Sequence, residues 1–296
     1  MLLVTFSTDG GPRRLGVHRD SDVVDVGALA AARSAPDPGT LLDVVRQDAA
    51  GTVAALLDGP LPDGVAHPAD AVALHAPLRP GKIIAVGLNY TEHVAESARA
   101  LDTAQELPQR PVLFAKPSTS VIGPEEAIEH NGHLTQQLDW ECELAVVIGR
   151  TAKRVPAERA LEHVFGYSVL NDISARDQRR GGLWFYSKGQ DTYAPFGPAV
   201  RTSDEVPDPH ALELSLKVNG EVRQKSSTKY MLFRIPELIA DISAGITLEP
   251  GDVIATGTPA GVGAGRTPQV WLWPGDVVEA TVERIGTLRN PVVDVR

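Results

Sequence analysis

The chain has 296 residues, 43% hydrophobic and 22% charged, which is ordinary for a globular protein and enough for one large or two modest domains with an ample core. A net charge of −10 without a basic stripe argues against nucleic acid or an anionic membrane as partner, yet a local cluster of cations would still serve a small anionic substrate. The single cysteine, Cys142, rules out an internal disulfide; no apolar run forms a secretory leader or reaches membrane-spanning length, so a cytoplasmic protein is expected.

Residues 1–76 read as a small N-terminal α/β domain. Segments 2–6 and 14–18 are expected strands joined by the turn Asp9-Gly10-Gly11-Pro12. Thr40 is an N-cap candidate for a helix over 41–49, with Leu41, Leu42, Val44 and Val45 on one side. Breakers at Gly59-Pro60, Pro62, Gly64, Pro68, Pro77 and Pro80-Gly81 place a boundary there, and residues 77–296 form the second domain.

Beyond the boundary strands outnumber helices. A short buried strand over 83–86 precedes a helix over 89–98, and the polar segment 97–110 reads as a loop able to move. His93 and Glu96 lie three apart on that helix, so the carboxylate can fix the imidazole's tautomer and raise its basicity. The spacing equally describes a solvated helix face. Asn219-Gly220 predicts a two-residue hairpin turn. A helix over 236–244 is expected to stop at Gly245 in the left-handed cap conformation. Hairpin signals outnumber βαβ signals, so an α+β fold with a mixed, largely antiparallel β core is expected.

Two acids interrupt the apolar strand pattern from Leu138 to Gly149. Alternation puts Glu141 and Glu143 on one face and Trp140, Cys142 and Leu144 on the other. The pair is either the solvated face of an edge strand or, because residues 144–148 lack polar alternation, a buried pair that needs a cation between its members. The apolar run 164–170 ends in Asn171-Asp172, and Glu141, Glu143 and Asp172 together supply the hard oxygen ligands of Mg²⁺ or Mn²⁺. Ser174 is an expected cap for a following helix, and Arg176 an expected partner for a carboxylate of substrate or protein. Lys188 stands beside Gly189, where backbone approaches a ligand closely; desolvated, it would steady an enolate or carboxylate, and the alternative is a solvent lysine. The glycine-rich run 255–267 lacks the first glycine and the lysine of a phosphate loop, and reads as a turn lining a pocket with Thr256 or Thr258. Asn131-Gly132 between His130 and His133 marks a turn, so those histidines are taken as structural.

These segments together resemble the fumarylacetoacetate hydrolase family over about two thirds of the chain. The matching blocks are Gly87-Leu88-Asn89-Tyr90 with His93 and Glu96, Phe114-Ala115-Lys116-Pro117, Leu138 through Leu144, Asn171 through Asp177, Lys188 with Asp191-Thr192, and Pro195 through Pro198. Val218-Asn219-Gly220, Gln224, Thr228, Met231, Leu248 through Asp252, and Thr256-Gly257-Thr258-Pro259 follow in order. The resemblance implies a mixed β-roll catalytic domain, commonly homodimeric, with Mg²⁺ or Mn²⁺ on Glu141, Glu143 and Asp172. It implies a water-activating dyad, His93 and Glu96, on a lid, with Lys188 on the substrate side of the metal. Arg176, Gln178, Lys116 and Thr258 are the expected substrate-binding residues. The chain departs from the pattern at Gln178-Arg179, where either one residue is missing and Gln178 takes the substrate-fixing position or Arg179 has replaced it, and at Gln190 and Trp140.

The activity expected first is metal-dependent hydrolysis of a carbon–carbon bond in a β-diketo acid of the acylpyruvate type. The alternative is decarboxylation or isomerisation of a small 2-oxo dicarboxylic acid such as oxaloacetate, which needs no attacking water. A non-enzymatic binding protein would be expected to lack one of His93, Glu96, Glu141, Glu143 and Asp172; all five are present.

Overall fold

The computed structural model describes residues 1–100 and 106–295, the side chains of 97–100 excepted. It is a strand-dominated α+β fold built on mixed sheets. The largest sheet carries, in spatial order, Ala66–Pro68, Asp22–Asp25, Arg14–Arg19, Leu2–Ser7, Ala194–Thr202, Val164–Asn171, Cys142–Ile148, Val253–Ala255, Ile83–Gly87 and Val112–Lys116. The N-terminal hairpin joins it by antiparallel pairing of Leu2 with Arg201 and Leu3 with Val200. A second sheet contains Glu221–Ser227, Glu213–Val218, Val277–Val282, Gly286–Asp294 and Ile128–His130.

Cys142–Ile148 and Val164–Asn171 are buried along their whole lengths, as their largely apolar sequences lead one to expect, and Glu143, Ser168 and Asn171 are buried with them. Trp140, Cys142, Leu144, Val146 and Ile148 face one apolar core, whereas Ala145 and Val147 face another. The first core is shared with the second sheet and with the helix Ile235–Gly245. The second takes in Leu3, Leu29, Leu41 and Val44 from the N-terminal segment together with Phe196 and Val200.

Local signals hold where the backbone has few options. Thr40 caps the helix Leu41–Arg46, reciprocally with Asp43. That helix ends three residues early because Asp48 turns into positive φ, and a separate helix, Ala50–Leu56, follows. Asn219 and Gly220 both have positive φ (52° and 78°), as a primed turn demands. Gly245, by contrast, is not a left-handed cap. It stays helical, and the extended residue Ile246 (φ −121°) ends the helix with its N–H on the Ile242 carbonyl, 2.8 Å away. Burial of Leu238, Ile239 and Ile242 fixes where this helix runs, at roughly 1.5–3 kcal/mol for each large apolar side chain. The helix carrying His93 spans Thr91–Ala100, so it takes the first residues of the segment expected to be a loop; residues 101–105 of that segment lie outside those described.

Candidate active site

Antiparallel pairing of Cys142 with Asn171 sets the start of one central strand beside the end of the next. The Asp172 N–H donates to the Glu141 carbonyl (2.8 Å) and the Glu141 N–H to Asn171 Oδ1 (3.0 Å), so two acids distant in sequence share one sheet end. Glu143, two residues along, projects from the same face. One oxygen from each of Glu141, Glu143 and Asp172 lies within 4.8 Å of the others, and all three residues are buried. The solvated-edge alternative is thereby excluded.

Buried cations compensate two of these acids. Lys188 Nζ donates to Glu141 Oε2 (2.9 Å), Asp172 Oδ2 (2.6 Å) and Ser174 Oγ (2.7 Å). Lys116, itself buried, donates to Asp172 Oδ1 (2.5 Å) and to the Lys188 carbonyl. Arg176 bridges Asp139 Oδ2 (2.8 Å) and Glu141 Oε1 (2.7 Å). Burial opposes ionisation of Glu141, but the Lys188 and Arg176 charges outweigh it and hold the carboxyl below its usual range. Burial likewise works against the Lys188 ammonium, and Asp172 and Glu141 more than restore it. For Lys116 burial wins and its pKa falls.

Glu143 has no such relief. Among the described residues its one hydrogen bond comes from the Gly257 N–H (2.8 Å). Burial, then the Asp172 and Glu141 charges, push its carboxyl well above the ordinary value. A buried acid with two acidic neighbours and no cation of its own is the donor set a hard divalent ion completes. The residues therefore fit a metal held by Glu141, Glu143 and Asp172.

A narrow cleft adjoins the cluster, lined by His93, Glu141, Arg176, Arg179, Trp184 and Lys188 among others. His93 and Glu96 are both buried, with Nδ1 3.4 Å from Glu96 Oε2, so the solvated-face alternative fails for this pair too. Glu96 is anchored by the Gly261 N–H, which donates to both its oxygens (3.0 and 3.1 Å). The glycine-rich run closes round it: a Cβ on Gly265 would sit 2.1 Å from Glu96 Cδ. The same run holds the metal side, since Thr256 Oγ1 donates to the Leu144 carbonyl and Thr258 Oγ1 to the Cys142 carbonyl.

His93, Glu141, Arg176, Lys188 and Thr258 are thus gathered at the cleft, and Glu96, Glu143, Asp172 and Lys116 stand behind them. Gln178 is turned away, donating to the Leu134 carbonyl, while Arg179 reaches the cleft wall. Ser174 caps no helix; it lies in a two-residue strand and accepts from Lys188. Cys142 is inert packing, its thiol pushed up by burial.

Sequence reasoning missed Asp139, which accepts from Arg176 and from the N–H groups of Gly263 (2.6 Å) and Ala264 (3.0 Å). The alternation that pairs Glu141 with Glu143 includes Asp139, so the signal was available.

Comparison with known proteins agrees with this geometry. The family model described as fumarylacetoacetate (FAA) hydrolase C-terminal matches residues 82–293. Oxaloacetate tautomerase YisK of Bacillus subtilis (strain 168) is 45% identical over 224 residues, 75% of this chain and 73% of that protein. Among solved structures, the fumarylacetoacetate hydrolase from Exiguobacterium antarcticum superposes with a TM-score of 0.82 at 38% identity, covering 100% of both chains. Maleylpyruvate hydrolase from Sphingobium sp. SYK-6, in complex with manganese (II) ion and pyruvate, does so with a TM-score of 0.80 at 32% identity, again over 100% of both. With the fold, the acidic cluster and the ordered motifs all in agreement, the chain belongs to the fumarylacetoacetate hydrolase family.

Proposed function

We propose that this chain is a divalent-metal-dependent isomerase interconverting the keto and enol forms of a small 2-oxo dicarboxylic acid of the oxaloacetate type. The observation that carries this reading is the 45% identity to a protein named an oxaloacetate tautomerase, in a chain that keeps the acidic cluster and the His93–Glu96 pair. It favours the decarboxylation-or-isomerisation alternative over the carbon–carbon hydrolysis that the motifs first suggested, and that relative's name favours isomerisation within it. When bound, Mg²⁺ or Mn²⁺ on Glu141, Glu143 and Asp172 supplies Lewis-acid withdrawal of electrons from a 2-oxo carboxylate.

The chain's own residues do the rest. His93, held by Glu96, is the base for the C3 proton. The electron pair left at C3 forms the C2–C3 double bond, and the proton held on His93 is returned to the 2-oxygen, which leaves the imidazole neutral for the next turnover. Lys188, committed to Glu141, Asp172 and Ser174 in the cleft wall, contributes its positive charge to stabilising the negative charge that develops on that oxygen. No water is consumed and no carbon–carbon bond breaks.

Hydrolysis is the second reading, favoured by the likeness to maleylpyruvate hydrolase; His93 would then take its proton from water. Proton NMR in D₂O separates the two. With Mg²⁺ and oxaloacetate, exchange at C3 above the uncatalysed rate is expected, with pyruvate formed no faster than in the absence of protein. Stoichiometric acetate and pyruvate from acetylpyruvate, without faster exchange in oxaloacetate, would establish hydrolysis instead.

A further inference from the structure

The cleft wall carries three strong cations, and two of them are committed. Arg176 is engaged by Asp139 and Glu141, and Lys188 by Glu141, Asp172 and Ser174. Arg179 differs. Among the described residues it has no hydrogen bond and no ion pair, and its Nε is buried without a partner. Burial, then the nearby Arg176 charge, works against its guanidinium, and the Glu141 charge offsets them only in part. A half-buried cation beside another, facing a cleft and lacking a counter-ion, is costly unless an anion arrives to pair with it.

The guanidinium is nonetheless positioned. Its Cζ lies 5.4 Å from the centre of the Trp184 ring, a cation–π distance. Trp184 is fixed in turn by edge-on packing against Phe114, with centroids 5.2 Å apart, and by Gly87, where a Cβ would meet the ring at 2.1 Å. The arginine is therefore held against the cleft by a stack and left open on its hydrogen-bonding edge. It adjoins Gln178 at the point where the chain departs from the family pattern, and Gln178 is drawn away to the Leu134 carbonyl.

We propose that Arg179 is the specificity-determining residue of this cleft, pairing with the second carboxylate of a dicarboxylic substrate while the acidic cluster serves its 2-oxo end. The assignment rests on the tautomerase reading for the substrate class. It predicts that a charged far end is required and that a neutral one is discriminated against through this side chain alone. The planar fork makes the pairing bidentate, so lysine would replace it only in part.

Equilibrium binding to the Mn²⁺-loaded protein tests this without turnover. The probes are malate, an inert reduced analogue, and lactate, which lacks the second carboxylate. In calorimetry the parent protein should prefer malate, and Arg179→Met should lose about 10- to 100-fold of malate affinity with lactate binding little changed. Arg179→Lys should fall between. The proposal is overturned if the parent shows no preference, if Arg179→Met retains it, or if that variant weakens both ligands equally, as general misfolding would. If the preference depends on Arg179 but oxaloacetate is not tautomerised, the assignment stands and the tautomerase reading falls. If oxaloacetate is tautomerised but Arg179→Met keeps its full malate preference, the tautomerase reading stands and the role of Arg179 falls.

Discussion

Three carboxylates gathered within 4.8 Å would repel one another in an apolar interior, and the neighbouring side chains show how that is contained. Lys188, Lys116 and Arg176 compensate Asp172 and Glu141, leaving Glu143 as the acid that calls for an external cation. His93 stands apart from this cluster in function: it lines the cleft and is held by Glu96, whose oxygens are in turn held by Gly261. His93→Ala is accordingly expected to lower kcat by about 10²–10⁴. Mn²⁺ affinity, followed by electron paramagnetic resonance, should be unchanged, because the histidine contributes no ligand to the acidic cluster. Equal loss of both would show that His93 builds the metal site instead. At this scale Glu141 and Glu143 were legible because their charges break an apolar strand. Asp139 shares their alternation but was passed over, since its partners, Arg176, Gly263 and Ala264, are brought to it only by the fold. Gln178 and Arg179 adjoin in sequence, and only the backbone path decides which of them faces the cleft.

Among the elements, the helix Ile235–Gly245 shows where local rules hold and where packing overrides them. Its start matches expectation, with Pro236 in the first turn and the Arg234 N–H on Glu237 Oε2 (2.7 Å). Its end does not, because helical packing carries Gly245 along. The Ile235 N–H donates to His210 Nε2 (3.1 Å), a long-range contact that no local pattern announces. Burial lowers the His210 pKa below 6.5, with Arg234 acting the same way and Asp208 and Glu237 opposing it. Above pH 6.5 the imidazole is neutral in folded and unfolded chains alike, and the contact's stabilisation is complete. As pH falls from 6.5 toward the lower folded value, the unfolded chain takes up the proton first and stability declines. Urea unfolding at pH 7.5 and 5.5 should therefore show a drop in the parent that is smaller in His210→Gln. An identical drop in both proteins would remove the role assigned to this histidine.

For the molecule as a whole, the central sheet and one apolar core run across the change in chain composition near residue 76. Leu2–Ser7 pairs with Ala194–Thr202, and Leu3, Leu29 and Leu41 share a core with Phe196 and Val200. Breakers in the sequence mark where elements stop, but they cannot show that a strand on one side will pair with a strand on the other. The four tryptophans all lie beyond residue 139, so their fluorescence reports only that side. Circular dichroism, which follows both sides, should give the same urea midpoint as fluorescence if the shared sheet unfolds as one unit. Two separated transitions would mean that the N-terminal strands detach first.

The central claim is that this cleft moves a proton on a 2-oxo dicarboxylic acid with the help of an ion on Glu141, Glu143 and Asp172. The most direct test follows the ultraviolet absorbance of enol-oxaloacetate as it converts to the keto form. Protein with Mg²⁺ should accelerate the decay, chelation should abolish the acceleration, and added Mn²⁺ should restore it, with pyruvate released no faster than by the same ion without protein. Decay at the uncatalysed rate in the presence of Mg²⁺, or acceleration that persists after complete chelation, would contradict the account.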